Sequence, residues 1–406
     1  MKTIKRNNTD RFSKKLALAI AAIVAGAAPA SAFNIDFTYQ PGMTEDQITA
    51  VEMAGLYWES LLKDDINVEL HVGSASNLQV ADLDLGTDTL GLAIPGFTEE
   101  IDYKTAATNL TKDKSSQDDK TALNNLNKLF GKNSYSMLVD GEVESGDKIR
   151  TTYANAMAGS KTSIYDDKLH GAVIFNDDAS INWSDDDEIG ADETDLVSTI
   201  AHEIGHNLGF VSGVGIQGEE HEFRTTLDMF RYSDDSIANK AIEFTKGADS
   251  FFTIDGTPVA DFANGVEEGA SHWKEGEIGI MEGHNLLGTR LEAEDIDLKA
   301  FDVIGYDLSG NTDVDWAELR AEAEGKLEEG VTEVDRAEDV EAMLAESGFS
   351  AARPPYCPPY CGQELAQEAA VEAEAVPEPA TTAGLLGLTL AGAVGYLFKG
   401  GKKDVE

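Results

Sequence analysis

Two histidines and a glutamate stand at metal-site spacing near the middle of the chain, in His202-Glu203-Ile204-Gly205-His206. On a helix, residues four apart lie on the same face, so both imidazoles can reach one ion. Neutral imidazole suits Zn²⁺, and a carboxylate beside an open metal position can take a proton from water. The motif therefore indicates metal-assisted hydrolysis, with His202 and His206 as ligands and Glu203 as the general base.

The surrounding residues predict the helix that this motif needs. Asp192 is the expected N-cap, and Gly209 is expected to end the helix in a left-handed conformation. The apolar residues that recur at three- and four-residue spacing, and so give the helix a buried side, are Leu196, Val197, Ile200, Ala201, Ile204 and Leu208. The alternative is an amphipathic helix with two surface histidines, which leaves Glu203 and Gly209 without a role.

A catalytic zinc site usually has a third protein ligand, and the residues alone leave several candidates open. The histidines outside the motif are His71, His170, His221, His272 and His284. A compact spacing would put the third histidine at position 212, where the chain has Ser212. His221 lies in a run of glutamates that is typical of a solvated loop, and an acidic ligand within residues 227–231 is a further alternative. His71 and His170 precede the motif and are expected to be structural or exposed.

The stretch Ala270-Ser271-His272-Trp273-Lys274, followed by Gly279-Ile280-Met281-Glu282, resembles the leishmanolysin-type metzincins. In those enzymes an inserted segment separates the glycine after the zinc helix from the third histidine, and a methionine turn lies beneath the metal. The resemblance implies His272 as the third zinc ligand and Met281 as the residue of the Met-turn. His284, close to Met281, is expected to line the site or to lie at the surface.

A closer resemblance is to bacterial exported zinc metalloproteases that carry a C-terminal PEP-CTERM anchor. The stretches that carry it, in order, are residues 151–159, 171–183, 201–213, 227–233, 252–256, 271–281 and 301–308. They are spread over most of residues 33–310. The family tends to have Asp-Pro after the methionine, whereas this chain has Glu282-Gly283.

The predicted fold class is α+β, in a metzincin-like zincin layout. Strands are expected at residues 34–39, 68–72 and 171–175, with a helix over residues 44–62. An N-terminal mixed sheet would carry the zinc helix, and a smaller, mostly irregular C-terminal subdomain would end in a helix near residues 293–303. The resemblance implies that the strand at 171–175 is an edge strand with which a peptide substrate pairs antiparallel.

Both ends of the chain carry targeting patterns. Residues 1–32 are typical of a signal peptide, with a basic start, an apolar core and a cleavage site after Ala32. Residues 376–406 resemble a PEP-CTERM sorting tail, whose partner would be an exosortase-type enzyme and whose uncharged run at 383–398 is short for a membrane span. A plain membrane anchor is the alternative. An exported protein anchored at the cell surface of a Gram-negative-type bacterium is the expectation.

An acidic region at residues 311–375 separates the predicted metallopeptidase domain, residues 33–310, from the tail. Apolar residues predict one amphipathic helix near Trp316 and a second near Val340, before a linker rich in proline and alanine. Cys357 and Cys361 lie in this linker, and a local disulfide or intermolecular pairing is expected.

The chain has 31 basic and 75 acidic side chains, a formal net charge of −44. This charge disfavours nucleic acid and anionic membrane surfaces as partners. The acidic run at residues 176–188 is expected to be a solvated loop. Structural Ca²⁺ there is the alternative, because calcium prefers clustered carboxylate and carbonyl oxygens.

Together these features predict a zinc endopeptidase that cleaves proteins or peptides. The alternative from another class is a surface adhesin or matrix-binding protein that keeps the fold without turnover. A pure binding protein has no use for the base Glu203, which favours the enzyme.

Overall fold

The computed structural model describes residues 33–80, 85–86, 89–178, 181–184, 189–215, 223–266, 269–277, 279–283 and 287–347. These residues form a mixed α+β structure, in agreement with the predicted class. The predicted signal peptide (1–32), the cysteines Cys357 and Cys361 and the predicted tail (376–406) lie outside the described residues. No helix among the described residues is long and apolar enough to cross a membrane.

The described helices are α1 (Glu45–Leu61), α2 (Tyr103–Asp113), α3 (Gln117–Leu129), α4 (Tyr153–Ser160), α5 (Leu196–Asn207), α6 (Asp234–Ala238), α7 (Asp295–Ile304), α8 (Trp316–Glu329) and α9 (Ala337–Ser347), with a 3-10 helix at Leu227–Phe230. The described strands are β1 (Asn34–Tyr39), β2 (Asn67–Ser74), β3 (Gly91–Pro95), β4 (Ile101–Asp102), β5 (Tyr135–Val139), β6 (Glu142–Gly146), β7 (Lys148–Ile149), β8 (Gly171–Phe175), β9 (Trp183–Ser184), β10 (Thr194–Asp195), β11 (Arg231–Tyr232), β12 (Ile242–Glu243), β13 (Ser250–Phe252), β14 (Ala260–Phe262) and β15 (Thr332–Glu333).

Five strands form the main sheet, in the order β15-β1-β2-β8-β3. β1 pairs with β2, and β2 with β8, in parallel. β3 runs antiparallel to β8, with Gly91 opposite Phe175 and Pro95 opposite Gly171. β15 adds a short parallel pairing to the other side of β1. The sheet is therefore mixed, and β3 is its antiparallel edge.

The strand at residues 171–175 is present, but its predicted edge position is wrong. β8 lies between β2 and β3, and all five of its residues are buried. Its sequence, Gly-Ala-Val-Ile-Phe, is apolar at every position, which is typical of a strand covered on both faces. The neighbouring strand β3 is buried at all five positions as well, so the order of strand pairing, and not burial, identifies β3 as the edge.

Helix α1 packs against helix α5, which carries the His202–His206 motif. Thr44 begins α1 with a capping box, in which its side chain accepts from the Gln47 N–H and the Gln47 side chain accepts from the Thr44 N–H. Near the other end, the indole Nε1 of Trp58 donates to the carbonyl of Ala201 at 2.8 Å. This bond fixes α5 against α1 at the turn that carries the metal motif.

After α5 the chain is mostly irregular, as predicted, with short strands β11, β13 and β14 in one small sheet. The expected final helix near residues 293–303 is α7. The two amphipathic helices predicted after it are present as α8 and α9.

Helix α8 packs against helix α1, and helix α9 packs against strands β3 and β8 of the main sheet. The Lys326 ammonium of α8 lies 3.0 Å from Oε2 of the buried Glu52 of α1. Val340 and Leu344 of α9 are buried in a hydrophobic cluster with residues of β3 and β8. Helix α8 thus packs on α1, and α9 packs directly on the sheet that positions α5.

Candidate metal centre

Helix α5 carries the motif and begins at Leu196, with Asp195 as its N-cap. The prediction of Asp192 as N-cap is wrong. Oδ2 of Asp195 accepts from the backbone N–H of Ser198 at 2.9 Å, and the guanidinium of Arg290 pairs with the same carboxylate. Thr194 and Asp195 are held in strand β10, so the helix starts three residues later than the charge pattern suggested.

The other end of α5 behaves as expected. Gly209 has φ of +119°, a conformation that a side chain disfavours. The N–H of Phe210 then donates back to the carbonyl of Gly205 at 3.1 Å. This reversal turns the chain away immediately after His206 and brings the carbonyl of Phe210 beside the imidazole of His206.

Three imidazoles converge at this helix. Nε2 of His206 lies 3.0 Å from Nε2 of His202 and 3.2 Å from Nε2 of His272. All three side chains are buried, and their ligand atoms lie within 4.8 Å of one another. The structure therefore brings together the two motif histidines and the third ligand that the resemblance implied.

The Nδ1 atoms of the three imidazoles show how the rings are oriented. Nδ1 of His202 lies 2.6 Å from the carbonyl of Ile280, Nδ1 of His206 lies 2.7 Å from that of Phe210, and Nδ1 of His272 lies 3.0 Å from that of Gly269. A carbonyl only accepts, so each Nδ1 is the protonated nitrogen. The three Nε2 lone pairs then face one another.

Facing lone pairs repel unless a proton or a metal cation lies between them, and burial disfavours the protonated form of His202 and His206. Burial lowers the pKa of His202 to about 4. Burial, followed by the neighbouring charges of His202 and His272, lowers the pKa of His206 well below its ordinary value. Three imidazoles, each with Nδ1 beside a carbonyl oxygen and Nε2 close to the other two rings, are the donor set of a zinc site. The residues present therefore fit Zn²⁺.

Glu203 is fully buried on the same helix, next to strand β3. Neither of its carboxylate oxygens accepts a hydrogen bond from the part of the chain that the structure describes. A Cβ on Gly91 of β3 would lie 2.8 Å from Oε1 of Glu203. Burial raises the pKa of Glu203 well above its ordinary value; the nearby backbone N–H of Ala93 opposes this rise in part, without forming a hydrogen bond of ordinary geometry.

Met281 lies against helix α5, next to Gly205. A Cβ on Gly205 would lie 2.4 Å from Sδ of Met281, so only glycine fits at this position of the motif without rearrangement. The N–H of Trp273 donates to the carbonyl of Met281 at 3.0 Å. Met281 is therefore joined both to the helix and to the residue that follows His272.

Asp297 of α7 holds this turn together, and the sequence reasoning did not identify it. Its carboxylate accepts from the indole Nε1 of Trp273 at 2.8 Å and from the N–H groups of Ile280 and Met281 at 2.9 and 3.2 Å. It also accepts from the Glu294 N–H at 2.8 Å. The only available signal was an aspartate three residues into a helix, which is also an ordinary capping pattern.

Arg231 is a second buried residue that supports the site and that the sequence did not identify. It is almost fully buried, and its Nη1 donates to Ser250 Oγ at 2.6 Å and to the carbonyl of Ala263 at 3.2 Å. Its Nη2 donates to the carbonyl of Ala270, two residues before His272. The sequence shows an arginine between Phe230 and Tyr232 but does not show that it is buried or which groups it binds.

The other candidate ligands lie elsewhere. His71 contacts Thr38 Oγ1 at 2.9 Å and Gln40 Oε1 at 3.2 Å. His170 accepts from the backbone N–H of Glu69 at 2.7 Å. Both are buried and structural. His221 and His284 lie outside the described residues, so their expected roles stay predictions.

Residues 227–231 contribute no ligand to the imidazole cluster. Asp228 instead accepts from Ser212 Oγ at 2.6 Å and from the N–H groups of Gly213 and Thr225. Calcium at the acidic run 176–188 also stays a prediction, since residues 179–180 and 185–188 are not described.

No protein-family model matches this chain, and neither a curated protein nor a solved structure matches it.

Proposed function

We propose that this protein is a zinc-dependent endopeptidase of the metzincin type, in which an inserted segment supplies the third ligand. The observation that carries the proposal is the convergence of the Nε2 atoms of His202, His206 and His272 beside the carboxylate of Glu203. Three neutral imidazoles leave one position of a tetrahedral zinc open, which is the arrangement of catalytic rather than structural sites.

When bound, zinc would polarise the scissile carbonyl and lower the pKa of a water molecule to about 7. Glu203 would accept the proton of that water on a carboxylate oxygen and return it to the nitrogen of the leaving amine. Its two carboxylate oxygens accept no hydrogen bond from the described residues, which is consistent with such a role.

The substrate would be an extended peptide aligned on the edge of the main sheet. β3 is the last strand of that sheet, and Gly91 of β3 lies against Glu203. A peptide that adds to β3 by main-chain hydrogen bonds would pass alongside the base. Affinity would then come from the backbone, and side-chain pockets would set the cleavage preference.

Export and surface attachment form a separate part of the proposal, supported by sequence alone. Cleavage after Ala32 predicts a mature N-terminus at Phe33, which N-terminal sequencing can check. Deletion of residues 376–406 should release active enzyme into the medium. If the shortened protein remains on the cells, that tail is not the anchor.

Casein digestion by purified protein, with and without a chelator, tests the enzymatic function. We expect about one zinc per chain by metal analysis, digestion that stops on chelation, and recovery on adding zinc. Zinc binding without digestion of casein, gelatin or a peptide library would favour the adhesin. Digestion that persists after complete zinc removal would exclude the proposed mechanism.

A further inference from the structure

Three carboxylates from distant segments converge away from the imidazole cluster. Carboxylate oxygens of Asp64, Asp113 and Asp307 lie within 4.8 Å of one another. Asp64 and Asp113 are only 4% and 8% exposed. Carboxylates at such spacing repel each other strongly where little water separates them.

The cluster lies where four helices end. Asp64 follows the end of α1, Asp113 is the last residue of α2, and Asp307 follows the end of α7. Lys161 is the C-cap of α4. A helix C-terminus carries partial negative charge and carbonyls without intrahelical partners. Helix polarity therefore adds to the negative potential of the three carboxylates.

The Asp64 carboxylate belongs to this cluster and has one oxygen without a hydrogen-bond partner among the described residues. Its Oδ2 accepts from the backbone N–H of Asp307 at 2.9 Å. Its Oδ1 is buried and has no hydrogen-bond partner of ordinary geometry among the described residues, although the backbone N–H of Asp64 itself lies near this carboxylate. A buried carboxylate oxygen without a partner is costly, and this one lies beside two further carboxylates.

Lys161 offsets the charge only in part. Its Nζ lies 3.2 Å from Oδ1 of Asp113 and 3.6 Å from Oδ2 of Asp307. Its side chain is 62% exposed, so the ammonium can leave the cluster for water with little loss. One ammonium faces three carboxylates, and Oδ1 of Asp64 has no ion pair with it.

We propose that Asp64, Asp113 and Asp307 bind a divalent cation, Ca²⁺, at this junction of helix ends. The donors are all oxygens, which suit a hard cation. Three carboxylates leave several of the six to eight positions of calcium for water. A cleft of about 610 Å³ that is lined by Asp64, Lys161 and Asp307, but not by Asp113, lies next to the cluster and gives water access to it. A bound calcium ion would link the C-terminal ends of α1, α2 and α7.

Thermal unfolding of the full zinc-loaded chain tests the proposal. The protein is freed of calcium and titrated with CaCl₂ or, separately, with MgCl₂, at constant zinc. At a hundred times the dissociation constant, we expect calcium to raise Tm by roughly 5 °C. Magnesium should act less, because it requires octahedral geometry and gives up water reluctantly.

Matched variants locate the effect. Asp64→Asn and Asp307→Asn should remove most of the calcium response, and Asp46→Asn, at an exposed position in the first turn of α1, should retain it. Equilibrium dialysis should show one calcium fewer per chain in Asp64→Asn than in the wild type. This difference separates the site from any calcium at residues 176–188. A full response or unchanged stoichiometry in Asp64→Asn would refute the proposal.

Lys161→Gln provides an independent check that does not depend on weakening the site. The variant removes the cation that competes with calcium for Asp113 and Asp307. The calcium concentration at half-maximal response should therefore fall several-fold. A midpoint that does not fall counts against the proposal.

Discussion

The backbone N–H of Ser212 donates a hydrogen bond of 2.9 Å to Oγ of Ser271. Position 212 is where the compact metzincin spacing would place the third histidine, and Ser271 immediately precedes His272. Ser271 therefore lies beside the residues that follow the end of helix α5. On the proposed function, an inserted segment between these two serines would let His272 take the place of the third ligand.

This geometry predicts that His272→Ala loses zinc. Two imidazoles and solvent would remain on the metal, so zinc affinity should fall by far more than the 10–100-fold that is typical of residues that only support a ligand. Activity should fall with it. Zinc content after dialysis against a weak chelator, together with the competition-derived dissociation constant, measures the effect.

Two histidine variants serve as controls for that experiment. His71→Gln changes a buried histidine that is bonded to Thr38 and Gln40 and should keep full zinc content. His221→Ala tests the alternative ligand from the sequence analysis. Full zinc in His272→Ala combined with loss in His221→Ala would show the ligand assignment to be wrong.

Glu203→Gln should keep zinc and lose activity. The amide preserves the shape of the side chain but is not a base, so the rate should fall by roughly 10²–10⁴-fold. Glu203→Asp keeps the carboxylate, shortened by one methylene, and should retain more activity than the glutamine variant. Peptide-cleavage kinetics on samples with equal zinc content distinguish the two, and wild-type rates in Glu203→Gln would remove the proposed base.

The local parts of this architecture were predictable from sequence. Helix α5 and strands β1, β2 and β8 follow from apolar periodicity within short windows. Strand order does not, because it depends on pairings between distant segments. That is why β8 was assigned to the edge, although its wholly apolar sequence is typical of an interior strand.

The residues of the site also fall into those that the sequence predicts and those that it does not. His202, Glu203 and His206 occur within one helical turn and could be predicted from spacing. His272 was assigned by resemblance, since spacing alone did not distinguish it from other histidines. Arg231 and Asp297 act through backbone groups of other loops, and backbone partners leave no mark in a sequence. Asp195 replaced Asp192 as N-cap because β10 fixes where the helix can begin.

Arg231→Met should weaken both the fold and the zinc site. The change keeps much of the volume but leaves the carbonyls of Ala263 and Ala270 without their donor and Asp228 without its buried cation. Removal of one partner of a buried, hydrogen-bonded ion pair lowers the free energy of unfolding by about 3 kcal/mol or more. Because Ala270 lies two residues before His272, zinc affinity should fall as well.

Denaturant unfolding and zinc titration measure these two effects of the Arg231 change. Arg231→Lys is the informative comparison, since it keeps the charge but lacks the planar fork that bonds several acceptors. It should fall between the wild type and Arg231→Met. Equal zinc affinity in all three proteins would mean that Arg231 does not position the ligand loop.

The carboxylate cluster predicts a pH dependence of stability in calcium-free protein. Burial, followed by the charges of Asp307 and Asp113, raises the pKa of Asp64 to about 7, and burial raises that of Asp113 to about 6 despite Lys161. Asp119 also raises the latter. A carboxyl group whose folded pKa is raised stabilises the fold below its unfolded pKa, and this contribution is lost as pH rises through the folded pKa.

Stability of the calcium-free protein should therefore decline between about pH 4 and pH 7, by about 2 kcal/mol or more from this cluster. Asp64→Asn removes one titrating group and should flatten that decline. Urea unfolding at several pH values measures both proteins. A decline of equal size in Asp64→Asn would show that the loss comes from other groups.

Asp297→Asn should loosen the turn that carries Met281 and the residue after His272. Each carboxylate oxygen of Asp297 accepts two hydrogen bonds, from Trp273 and Met281 on one side and from Ile280 and Glu294 on the other. An amide nitrogen in place of either oxygen would face two N–H donors. The cost should be about 3 kcal/mol, because buried donors lose a charged acceptor.

The zinc site should respond to this change as well as the fold. The carbonyl of Ile280 orients His202 through Nδ1, so a displaced turn would turn that imidazole away from the metal. We expect weaker zinc binding and a lower Tm in Asp297→Asn. Asp295→Asn, an exposed change in the first turn of the same helix, should alter neither. If Asp297→Asn lowers Tm but binds zinc with wild-type affinity, Asp297 supports the fold and does not position the ligands.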